Sequence, residues 1–146
     1  MKNYVIFFLV AFGTIIIDQN IKSLFVHGYF WDSNCLSLEF HLNRGVAFSM
    51  FEFLGEYLKW IQIVLISGIF AFVIYDGYLK QFSFAIGLLL GSAVSNLYDR
   101  FLHGGVIDYI AWHCGFNFAV FNYADVMINI SVIYILLISY FNSKDS

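Results

Sequence analysis

Two acidic residues, Asp108 and Asp125, are the side chains in this sequence best suited to chemistry. Asp125 stands inside a long apolar run with Asn122 and Asn129, a spacing of i, i+3 and i+7 that puts all three on one helical stripe. An acid at such a place is costly to insert, so by default it faces the protein interior and marks function. Asp108 alone reads as a solvated loop acid. It gains interest because the chain leaves one apolar segment just before it and re-enters another near Asp125, so the two carboxyls can meet. Two carboxylates sharing a site cannot both ionise easily, and low-dielectric surroundings drive their pKa values apart. One then serves as acid and the other as base: the base takes a proton from water attacking an amide carbonyl, and the acid polarises that carbonyl. Such hydrolysis needs no metal, thiol or serine.

Other polar residues gather around the pair. Asp18 and Lys22, at i, i+4, read either as a snorkelling ion pair or as support for the site. Ser92, Asn96 and Arg100 share a helical face with Asp99 beside it, and Asp99 with Arg100 reads equally as a helix-end anchor at the headgroups. The polar stretch 43–49 is a turn enabled by Gly45, and Gly104 with Gly105 reads as a hinge beside Asp108. His103, Asp108, His113 and Cys114 have no regular ligand spacing, so neither a metal nor a cofactor is expected. Cys35 and Cys114 fall on the same side of the predicted topology, which allows a disulfide or two thiols.

The elements that must position these groups are set by composition. The chain has 146 residues, 61% hydrophobic and 12% charged, against about a quarter charged in soluble domains. With two Cys and a net charge of −3, a disulfide scaffold and a basic nucleic-acid binder are excluded along with a soluble or disordered chain. Four stretches, 4–25, 57–75, 82–97 and 118–141, approach the roughly 20 apolar residues that cross a bilayer. The first resembles a cleavable signal but reads as a retained anchor, since further spans follow. Lys2, Lys80 and Lys144 lie on the side of the termini, whereas the opposite loops hold most of the acids, so the termini are expected in the cytoplasm. All the polar residues above then lie near the outer surface. Residues 27–56 form an outer cap: 36–43 alternates apolar and polar residues as a half-buried strand does, and 48–58 reads as a short amphipathic interfacial helix. Gly87, Gly91 and Ser95 form a small-residue row that lets another helix approach closely. One membrane domain over 1–146 is expected, with a polar seam between the third and fourth helices.

Five blocks, DQNIK (18–22), NRGVAFS (43–49), NLYDR (96–100), GGVIDY (104–109) and FNYAD (121–125), resemble in order and spacing those of the signal peptidase II family of bacterial membrane aspartic endopeptidases. The resemblance spans nearly the whole chain. It implies an all-α integral membrane protein, a four-transmembrane-helix bundle with a small extracytoplasmic β-cradle and a short interfacial helix. It implies Asp108 and Asp125 as catalytic, and Asn43, Asn96, Arg100 and Asn122 as lining the site or holding substrate. Asp18, Lys22, Gly45, Ala47, Phe48, Asp99 and Ala124 fall on supporting positions. The implied substrate is a diacylglyceryl-prolipoprotein cut just before its lipidated cysteine, in the bacterial inner membrane, with globomycin-type peptides as blockers. Partners are that substrate and membrane lipid, with no nucleic acid, and a monomer is expected. Ser92 and Ser95 stand where the family usually has Gly, and the Pro often preceding the Phe-Asn pair is missing. A proton-linked transporter using Asp125 and Asp108 as a relay is the rival reading. A non-catalytic assembly protein is a third, and it leaves the cost of Asp125 unexplained.

Overall fold

A computed structural model describes residues 1–45, 50–116 and 118–144. The chain runs α1 (Lys2–Val26), β1 (Trp31–Asp32), β2 (Leu36–Asn43), a single 3-10 turn (Glu52–Leu54), α2 (Tyr57–Tyr75), α3 (Leu79–His103), β3 (Val106–Trp112) and α4 (Tyr123–Lys144). All four α-helices are long and apolar enough to cross a membrane, and their outward faces carry exposed Phe, Leu, Ile and Val, as lipid contact requires. The protein is a multi-pass membrane protein. Both termini and the α2–α3 turn lie at one end of the bundle, where Asn3 donates to the Lys80 carbonyl at 2.9 Å. The sheet caps the other.

Helix α3 is the hub. Its small residues face α1: a Cβ on Gly91 would stand 2.6 Å from the Ala11 carbonyl oxygen, and one on Gly87 2.9 Å from that of Phe7. The small-residue row thus belongs to the α1–α3 contact. Toward the termini the core is apolar, with Phe7, Val73, Leu79, Phe82, Ile86 and Leu90 packed together. Toward the sheet it is polar. Helix α2 leans on α3 and makes no comparable contact with α1 or α4 among the described residues, which leaves a gap between α2 and α4.

Three boundaries differ from the sequence expectation. The third helix runs on to His103 rather than ending at 97, because Asn96 and Asp99, polar enough to suggest a span end, are buried and bonded within the bundle. It stops at Gly104, whose φ of +71° provides the left-handed cap; Gly105 then packs so closely that a Cβ would meet the Asn43 carbonyl oxygen at 2.8 Å. This is a fitted turn, not a hinge. The fourth helix begins at Tyr123, since 118–122 is extended and Phe121 bridges to Ile110. In the segment expected to form an interfacial helix, the described residues before α2 form only the 3-10 turn, beside exposed Met50, Phe51 and Phe53.

The sheet is antiparallel, in the order β1-β2-β3. The sequence pattern marks β2 but not β3, in which Val106 to Tyr109 are all buried and polar and apolar residues do not alternate cleanly. Leu38 pairs with Ile110 and His41 with Asp108, so Glu39 and Phe40 together stand opposite Tyr109, a one-residue bulge. The bulge reverses the parity of β2. His41 and Asn43 therefore share a face with Asp108 and Val106, although by strict alternation they would oppose Leu36 and Leu38. At the far end of the sheet Cys35 and Cys114 form a disulfide.

Candidate active site

The start of α4 brings the two carboxyls together. Asn122 occupies its N-cap position, and the relation to Asp125 is reciprocal: the Asp125 N–H donates to Asn122 Oδ1 at 2.9 Å, and the Asn122 N–H donates to Asp125 Oδ2 at 3.0 Å. This is a capping box built from Asn and Asp. The stripe expected for Asn122, Asp125 and Asn129 is corrected accordingly, because Asn122 precedes the helix. The cap also fixes the Asn122 amide, whose Nδ2 donates to Asp108 Oδ1 at 2.8 Å, with the Asn96 Oδ1 and Ile107 carbonyl each at 3.2 Å. Fully buried Asn122 thus holds both acids.

Each acid has a second donor. Asn43, turned inward beyond the bulge, donates to Asp108 Oδ2 at 2.9 Å, and Asn96 donates to Asp125 Oδ1 at 2.9 Å. Burial pushes the Asp108 carboxyl up from the ordinary 3.8 to about 6, and the nearby charge of Asp125 adds to this, against the opposing pull of the Asn43 and Asn122 amides. The Tyr109 hydroxyl is also driven upward by burial, remains protonated, and accepts the Tyr123 N–H at 3.0 Å.

Behind the acids lies a buried ion cluster. Lys22 Nζ donates to Asp18 Oδ2 at 2.6 Å, Asp99 Oδ2 at 2.7 Å and Asn96 Oδ1 at 2.7 Å, which engages all three ammonium protons. Asp18 also accepts from Ser95 Oγ at 2.7 Å and from the Ala124 N–H at 3.1 Å, at the crowded start of α4. Asp99 accepts from Gln19 at 2.8 Å and from the Ile107 N–H at 3.2 Å, which anchors β3 one residue before Asp108. Neither acid snorkels or anchors at headgroups. A buried cluster of two acids and one base survives desolvation only when it is densely hydrogen-bonded, and here all three ammonium protons are engaged and each carboxylate accepts three hydrogen bonds. The polar seam therefore includes α1 as well as α3 and α4.

Arg100 joins three elements, donating through Nη2 to the Gly45 carbonyl at 2.6 Å and through Nε to Gln62 of α2 at 3.1 Å. The Gly45 N–H in turn donates to Asn43 Oδ1 at 3.0 Å, orienting that amide toward Asp108. Ala47 and Phe48 lie outside the described residues. Gln19, Gln62, Ser95 and Tyr109 were not singled out from the sequence as site residues. Gln62 carried a signal, being the only amide in the α2 span, and Tyr109 carried one in closing the GGVIDY block.

Asn43, Asn96, Arg100, Asp108 and Asp125 line one groove of about 430 Å³, whose far wall is apolar, from Leu58, Ile61 and Leu65 of α2 and Ile128 of α4. A chain with both a polar head and apolar tails fits such a groove, with two carboxyls at its polar end and the α2–α4 gap open beside it.

The family model described as signal peptidase (SPase) II matches residues 10–141. A lipoprotein signal peptidase of Sulfurovum sp. (strain NBC37-1) is 59% identical over 141 residues, 97% of each chain. One from Sulfurimonas denitrificans is 55% identical over 142 residues, covering 96% of this chain and 91% of the other. Among solved structures, a bacterial membrane enzyme determined by the in meso method at 2.3 Å superposes with a TM-score of 0.81 at 27% identity, over 94% of this chain and 89% of its own. A second, at 1.9 Å, gives 0.74 at 29% identity over 88% of each. The family match extends from within α1 nearly to the end of α4 and so takes in every element that contributes to the groove: this chain belongs to the signal peptidase II family.

Proposed function

We propose that the protein is a membrane aspartic endopeptidase that removes the signal peptide from diacylglyceryl-modified prolipoproteins, cutting just before the lipidated cysteine. The observation that carries this reading is the Asn122 bridge, a single buried residue hydrogen-bonded to Asp108 and Asp125 at once. Asp108, whose carboxyl is raised to about 6 by burial, serves as the acid of the pair in this reading. Asp125, at the positive end of the α4 dipole, takes a proton from a water as its oxygen attacks the scissile carbonyl. Asp108 gives its proton to the carbonyl oxygen, forming a neutral tetrahedral diol. Asp125 then returns its proton to the amide nitrogen while Asp108 withdraws one from a hydroxyl. The C–N bond breaks, releasing a carboxylic acid and the free α-amino group of the cysteine. Asn43, Asn96 and Arg100 orient the acids and the peptide, so little reorganisation is left to the transition state.

The same reading makes 1–146 one peptidase domain, monomeric, in the bacterial inner membrane. Lys2, Lys80 and Lys144 at the end of the termini support a cytoplasmic position for that end and an extracytoplasmic one for the sheet. The transporter reading is not favoured: the helical acids Asp18, Asp99 and Asp125 gather at the sheet end, whereas a relay needs them along the membrane depth.

The test supplies lipidated prolipoprotein in detergent, with chelator, to wild type, Asp108→Asn and Asp125→Asn. Cleavage by the wild type alone is expected. Full activity in either variant removes that residue from the dyad, and loss on chelation moves the chemistry to a metal.

A further inference from the structure

Asn129 is a polar side chain that the dyad leaves unused. It lies on α4 one turn beyond Asp125, about 6 Å farther along the helix and away from the sheet. It is exposed within a membrane-spanning helix and lines the groove beside Ile128 and across from Leu65. One amide proton donates to the Asp125 carbonyl at 2.9 Å, and among the described residues the second proton and Oδ1 meet no partner. The back-bond alone would satisfy a helix, as it does for Ser131 on the same helix, but Ser131 is fully buried and Asn129 faces the groove. An open amide donor at that depth is costly unless a ligand supplies the acceptor.

We infer that Asn129 is a specificity-determining residue that donates its free amide proton to an acyl ester carbonyl of the substrate's diacylglyceryl group. This rests on the reading of the substrate given above. In such a substrate the nearest ester carbonyl is separated from the scissile nitrogen by a thioether and part of a glycerol, a reach comparable to the one turn between Asp125 and Asn129. The acyl chains then continue past Leu65 and Ile128 into the gap between α2 and α4. Ester carbonyls only accept, and the free proton of Asn129 is the matching donor. A backbone carbonyl of the signal peptide has the same acceptor chemistry, so the test separates the two.

Wild type, Asn129→Leu and Asn129→Thr are each given two synthetic prolipoprotein peptides, one with an ester-linked diacylglyceryl cysteine and one with the ether-linked dialkyl analogue. The ratio of kcat/KM for ester over ether within one enzyme cancels differences in folded fraction. For the wild type that ratio is expected near tenfold, about the worth of one hydrogen bond, carried by KM. Both variants are expected to bring it to about one with kcat retained. Thr keeps the back-bond to the Asp125 carbonyl but does not reach into the groove, so it separates recognition from helix support. An unchanged ratio in the variants, or none in the wild type, overturns the inference; equal KM losses on both substrates point to a backbone carbonyl and overturn it too. Failure of the wild type to cleave either peptide overturns the proposed function instead.

Discussion

Lys22 donates to the carboxamide oxygen of Asn96 at 2.7 Å, and the nitrogen of that same amide donates to Asp125 at 2.9 Å. An ammonium group has no acceptor, so its presence dictates which end of Asn96 it meets and leaves the donor end for the acid. A charge on α1 thereby orients a hydrogen bond to an acid on α4. Lys22 does not itself line the groove and acts through Asn96, as a positioning residue.

Lys22→Met should accordingly do two things. It strips the cation that bridges Asp18 and Asp99, both fully buried, and should cost about 3–5 kcal/mol of stability. Where the variant still folds it leaves the Asn96 oxygen only the 3.2 Å bond from Asn122, which loosens the orientation of that amide, and kcat should fall more than KM rises. Thermal unfolding in detergent and steady-state kinetics measure the two effects. A variant within about 1 kcal/mol of wild type would show that the cluster contributes little.

Asn122 combines a helix cap with a bridge between acids, and substitutions can separate them. Asn122→Ala loses both roles. Asn122→Ser retains an oxygen able to accept the Asp125 N–H, but no nitrogen to reach Asp108. Serine should recover about 1 kcal/mol of stability over alanine while remaining as inactive. Equal stability of the two variants would rule out the cap; substantial activity in the serine variant would rule out the bridge.

The raised carboxyl of Asp108 ties stability to pH with a definite sign. Its folded value, about 6, exceeds the ordinary 3.8, so the folded state binds this proton more tightly than the unfolded state. Stability from this group is full below pH 3.8 and is lost as pH rises through 6, by up to about 3 kcal/mol. Asp108→Asn has no such proton. Its stability relative to wild type should improve between pH 4 and pH 7 and then level off, as read from unfolding midpoints in detergent across that range. A difference that shrinks with pH would mean that the donors around Asp108 outweigh its burial.

Much of this architecture was available from residue order. The lengths of apolar runs marked the four helices, because a bilayer demands about 20 residues whatever their neighbours. The acid in the fourth run stood out by its cost in an apolar setting, and Asp108, a loop acid when read alone, became a candidate only through its pairing with Asp125. The row Gly87, Gly91, Ser95 announced a close helix contact without naming the helix.

The partners came only with three dimensions. Helical period assigns a residue to a face, but whether that face meets lipid or another helix depends on packing; Asp18 and Lys22 have the same spacing in a snorkelling pair and in a buried cluster. Alternation in β2 pointed Asn43 away from Asp108 relative to Leu36 and Leu38, and one bulged residue, with no mark of its own in the pattern, reversed it. Asn122 looked like part of a helix because i, i+3 spacing is shared by a helical stripe and a capping box. Residue types and spacing determined which groups could react. Hydrogen-bond directions set by distant backbone and by one buried ammonium decided how those groups face each other, because an amide is oriented by its partners and not by its place in the chain.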